Sequence, residues 1–130
     1  MTIAELSAAL EERARPEGLA WLREASASVA GDSTAISSRF PMVGRKVGRE
    51  PLDADADPQD VHAWTIDDAA RTLLLVAMGE GAEGELAELY RYGDAAERRG
   101  ILRALPYLDL GERGLGLVDD AVRTLSLIHI

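Results

Sequence analysis

Thr65-Ile66-Asp67-Asp68-Ala69-Ala70-Arg71-Thr72-Leu73-Leu74-Leu75-Val76-Ala77-Met78-Gly79 holds a helix start, an apolar body and a stop in one run. Thr65-Ile66-Asp67-Asp68 caps the start of this helix. From Ala69 to Met78 the run is apolar on most of a helical circumference, and such a helix sits centrally in a core. Gly79 and Gly81 are placed to end it. The spacing therefore predicts an all-α protein built around this segment.

The flanks agree. Thr2-Ile3-Ala4-Glu5 is another capping box, and Ile3, Leu6 and Leu10 follow at helical spacing. Pro16 ends that helix near Ala14 and suits the first turn of the next, which carries Leu19, Trp21, Leu22 and Val29 and stops at Gly31. Asp32 or Ser33 can cap a short helix through Ile36 and Phe40, and the stretch 44–63 reads mainly as loop. On the C-terminal side, Glu83 to Tyr92 and Ala95 to about Leu105 read as helices, the second capped by Asp94. Pro106 bends or ends that helix, 111–116 is a turn, and Leu117 to about Leu125 is a last helix. The core is expected at Leu73, Leu74, Val76, Leu86, Leu89, Leu102 and Leu105. No segment alternates with period two, so no sheet is expected. The expected architecture is six or seven helices in antiparallel hairpins, a HEAT/ARM-like α-solenoid fragment. It rests on Ile101 to Pro106 followed by Val118 to Arg123, where a proline kink precedes an Asp and an Arg on the second helix.

The 130 residues fit one domain, and 47% hydrophobic with 28% charged residues is a globular balance. A net charge of -9 argues against nucleic-acid binding, which depends on neutralising phosphates, and against docking on anionic lipid. There is no cysteine, hence no disulfide and no thiolate nucleophile, and only His62 and His129 are available as imidazole ligands. No metal or cofactor is expected. No export signal or membrane span is read, because the longest strongly apolar stretch, Leu73 to Met78, is far below the ~20 residues needed to cross a bilayer. A cytoplasmic location is expected.

No phosphate-binding, metalloprotease or serine-hydrolase motif occurs, and no catalytic residue is assigned. The pairs Asp67-Asp68 and Asp119-Asp120 lie at helix starts, where capping and the helix dipole account for them. His62 near Trp64 reads as a structural histidine. Tyr90, Tyr92 and Tyr107 read as core residues with hydroxyls reaching the surface, or as a pocket. Arg45, Lys46 and Arg49 form a basic cluster in an otherwise acidic chain, flanked by Gly44 and Gly48. Two readings stand for it: internal pairing with the Asp53–Asp57 tract or helix carboxylates, or a site for an anion or a partner.

Three ordered segments carry a family resemblance: Phe40 to Leu52, Trp64 to Arg71, and Leu89 to Arg99 with Leu102-Arg103-Ala104-Leu105-Pro106. Together they resemble the EboA family of bacterial metabolite-traffic proteins. The resemblance implies a helical adaptor, without catalytic residues to carry over, in the movement of secondary metabolites from cytoplasm toward periplasm. Its implied partners are proteins of the same gene cluster, including a membrane prenyltransferase-like protein. A binder of a small anionic metabolite, or an enzyme of such a cluster, is the competing class. The family's helical region is expected to continue where this chain ends in Leu125-Ser126-Leu127-Ile128-His129-Ile130. That ending resembles translated sequencing-adapter read-through. The expected organisation is one EboA-like domain over 1–124, cut at its C-terminus, with a non-native tail at 125–130.

Overall fold

A computed structural model of the chain describes residues 2–57, 59, 60, 62–79, 83–108, 116, 119, 120 and 123. Helix α1 (Ile3–Arg13) opens on the expected capping box: the Thr2 hydroxyl accepts from the Glu5 N–H at 3.1 Å. Ala14 is extended ahead of Pro16, which is the first residue of α2 (Pro16–Gly31). Asp32 then accepts from the Thr34 N–H and starts a tight 3-10 turn, Ser33–Ala35. The short helix α3 (Ile36–Arg39), a second 3-10 turn (Phe40–Met42) and α4 (Val43–Val47) follow without a break.

Helix α4 corrects the expected loop at its first positions. Gly44 lies inside α4, and the helix stops at Gly48, whose φ of 98° is open to glycine and strained for other residues. The remaining connection to Thr65 is non-helical. It is tied down at its ends, where Leu52 N–H donates to the Trp64 carbonyl and Ile66 N–H to the Glu50 carbonyl, both at 2.9 Å. Inside it, Asp53, Asp57 and Asp60 each accept from the backbone N–H two residues on, at 2.9 Å. The acidic tract thus stabilises its own turns.

Helix α5 (Ile66–Ala77) is the hub, packing against α1, α2, α4 and, most extensively, α7 (Ala95–Ala104). Helix α6 (Glu83–Tyr92) packs on α7 and touches α3. A 3-10 turn over Leu105–Tyr107, containing Pro106, ends α7 as expected. The described residues are mostly helical and contain no strand, only an isolated bridge between Pro51 and Thr65. None of their helices is long and apolar enough to cross a membrane.

The core joins Leu6 and Leu10 of α1 to Leu22 and Val29 of α2, Phe40, Val43 and Val47, and Leu74, Leu75 and Ile101. Each such side chain contributes on the order of 1.5–3 kcal/mol when removed from water. Of the expected core, Leu74 and Leu86 are buried, Leu73, Leu89 and Leu105 pack on its edge, and Val76 is half-buried. Leu102 is corrected: it is 45% exposed, because α7 turns Gly100, Ile101 and Ala104 inward instead. Gly81, the turn at 111–116, the helix Leu117–Leu125 and the tail at 125–130 lie outside the described residues, apart from Gly116, Asp119, Asp120 and Arg123. There the Arg123 guanidinium lies 2.9 Å from Asp119, one helical turn away.

Candidate functional site

Two polar features stand out: an ionic joint buried between α5 and α7, and a basic corner on α4. The joint grows from the capping box of α5. The Thr65 N–H donates to the Asp68 carboxylate at 3.0 Å, and the Thr65 hydroxyl accepts in return from the Asp68 N–H. The same hydroxyl donates to Asp67. Both aspartates are fully buried, so each needs a cationic or hydrogen-bonding partner.

Those partners are three arginines. Arg71, one turn along α5 and 1% exposed, donates to Asp67. Arg99 and Arg103, one turn apart on α7, both reach Asp68, through Nε at 3.2 Å and Nη1 at 2.5 Å respectively. Arg103 also donates to the Ala63 carbonyl at 2.9 Å, fixing the end of the loop that leads into α5. Its guanidinium stands 5.9 Å from the Trp64 ring centre, and Trp64 meets Tyr107 edge-on at 6.1 Å. Arg71 lies over Phe40 at 5.6 Å, with its Nε buried and without a hydrogen-bond partner among the described residues.

Gly100 makes this arrangement possible. A Cβ there would come 2.8 Å from the Arg71 Cδ, so only a glycine lets α7 close over that side chain. Arg99 and Arg103 of α7 therefore tie that helix to the aspartates of α5, while Arg71 balances Asp67 within α5. The aspartates are engaged by partners on every side, which makes them bonding groups rather than a general acid–base pair. This agrees with the capping role read from the sequence, and it adds Arg99 and Arg103. The sequence reading missed those two because they lie more than thirty positions from Asp68. Their spacing of four on one helix, matching two carboxylates at a helix start, was the available signal.

The basic cluster lies elsewhere. Arg45 and Lys46 are exposed on α4, and Arg49 is exposed just after Gly48. Among the described residues none of the three is within ion-pairing distance of a carboxylate, the Asp53–Asp57 tract included. Arg49 folds back so that its guanidinium covers Gly44. It also contributes weakly, at longer range, to holding the Asp94 carboxyl below its usual range; the main cause is the Glu97 N–H bonded to it.

The remaining candidates disperse. Tyr90 is buried under Arg98, Tyr92 is 76% exposed, and Tyr107 packs on Trp64. His62 is exposed on an open groove of about 750 Å3 shared with Arg13, Asp53 and Asp60. Among the described residues no group of three or more His, Asp or Glu side chains is placed to hold a metal ion. Compared with protein-family models, curated proteins and solved structures, the chain matches none.

Proposed function

We propose that this protein is a non-catalytic helical adaptor that engages a partner through Arg45, Lys46 and Arg49, in secondary-metabolite traffic from cytoplasm toward periplasm. One observation carries the adaptor reading. The buried acidic pair is committed to Arg71 within α5 and to Arg99 and Arg103 of α7, whereas the cations of α4 and Arg49 are exposed and form no ion pair with a carboxylate among the described residues. Exposed cations gathered on one corner of an acidic protein favour an acidic partner surface, through charge-assisted hydrogen bonds and steering. The traffic role rests on the resemblance of Phe40–Leu52, Trp64–Arg71, and Leu89–Arg99 with Leu102–Pro106 to the EboA family. On that reading the partners are proteins of the same gene cluster, a membrane prenyltransferase-like protein among them. The finer architecture proposed is a HEAT/ARM-like solenoid fragment, supported by the proline-ended α7.

The test pairs a pull-down on the protein with deletion of its gene. The proposal expects retained cluster proteins, and metabolite held in the cytoplasm of the deletion strain. Turnover of a cluster metabolite by the purified protein alone would overturn it in favour of an enzyme.

A further inference from the structure

Helix α6 and the start of α7 face the 3-10 turns and α3 across an open groove of about 630 Å3. That size lies in the range of small-molecule sites, about 300–1,000 Å3. Its apolar surface comes from Pro41, Leu89 and Tyr92, with the buried Ile36 beneath them. Its charged groups are all of one sign: Glu85, Glu88 and Glu97, with no Lys, Arg or His among the lining residues. Glu85 is positioned by the Ser33 hydroxyl, which donates to it at 3.3 Å, while Glu88 is exposed and forms no ion pair among the described residues.

We propose that this groove binds a small organic ammonium carried on an apolar body. The apolar wall takes the hydrocarbon, and the carboxylates take the charged end. Tyr92, 76% exposed, lines the groove and supplies an aromatic ring that can take part in binding the same cation. The electrostatics of the groove favour this sign of ligand. Burial, and then the neighbouring Asp94 carboxylate, push the Glu97 carboxyl above its ordinary range. A bound cation offsets the repulsion between Glu97 and Asp94, whereas a bound anion would add to it. The occupant is thus opposite in charge to what the basic corner attracts, and the inference stands independently of the adaptor reading.

The test titrates the isotope-labelled protein with hexylammonium, and separately with hexanoate, which has the same chain and the opposite charge, following backbone amide shifts by NMR. Saturable shifts at Leu89, Tyr92 and Gly93 with hexylammonium, weakened by added salt and absent with hexanoate, are expected. Glu88→Gln with Glu97→Gln should weaken hexylammonium at least about tenfold, equivalent to about 1.4 kcal/mol, with an unchanged or raised melting temperature. Should that double variant fold poorly, Glu88→Lys at the exposed position supplies a competing ammonium and should abolish the shifts on its own. Equal response to both probes, or an affinity indifferent to Glu88→Lys, would overturn the proposal. Neither variant touches α4, so the pull-down through Arg45, Lys46 and Arg49 should survive both.

Discussion

Arg71 is the residue on which the interior depends most. It neutralises Asp67 in a place water does not reach, and its aliphatic stem fills the space beside Gly100. Removing one member of a buried pair costs about 3–5 kcal/mol, because the other charge is left without compensation. Arg71→Met keeps most of the volume and loses the charge, so urea denaturation should show a loss of that order, with Asp67→Asn/Arg71→Met recovering part of it. Glu97 behaves in the opposite sense. Its carboxyl titrates above the ordinary glutamate value because of burial and then Asp94. A carboxyl raised on folding contributes stability that is full below the unfolded value, about 4.3, and is lost as pH rises through the folded value. At pH 7 the ionised group therefore opposes folding. Glu97→Gln should raise the melting temperature at pH 7, and the advantage should shrink when both proteins are melted near pH 4.

At the scale of elements, the caps and breakers of the sequence translate directly. Thr2, Pro16, Thr65 and Asp94 each start the helix they were read to start. Local rules suffice there, because a cap is decided within four residues. Helix α4 escaped the same rules: Gly44 and Gly48 read as breakers, yet only Gly48 has a backbone angle that stops a helix. Leu102 was misplaced because periodicity finds an apolar stripe without knowing which side the neighbour approaches. That side is set by the close contact of Gly100 with Arg71, a tertiary fact. The candidate site was partly legible in the same way. Asp67 and Asp68 announced a cap, and Arg45, Lys46 and Arg49 were conspicuous, but the reach of Arg99 and Arg103 across to Asp68 depends on how two distant helices meet. Gly100→Ala tests that meeting. Alanine is favoured over glycine by up to about 1 kcal/mol inside a helix, so on propensity alone the variant gains. The clash with Arg71 should instead make it less stable by roughly 1–3 kcal/mol, read from denaturant midpoints.

Across the whole molecule, charge is distributed by use. The buried Asp68 joins α5 to α7, the carboxylates of the 53–60 loop hold its turns, and those of α6 and α7 line a groove. With a net charge of -9, the exposed cations on and beside α4 are where the proposed adaptor would meet an acidic partner. The most direct measurement of this account is the affinity of the protein and of its Arg45→Ala/Lys46→Ala/Arg49→Ala variant for the partner retained in the pull-down, taken alongside their melting curves. Surface changes away from packed features shift stability by less than about 0.5 kcal/mol, so the melting curves should nearly coincide while affinity falls about tenfold or more. Unchanged affinity, with a melting temperature lowered by many degrees, would show that the cluster serves the fold and that the partner binds elsewhere.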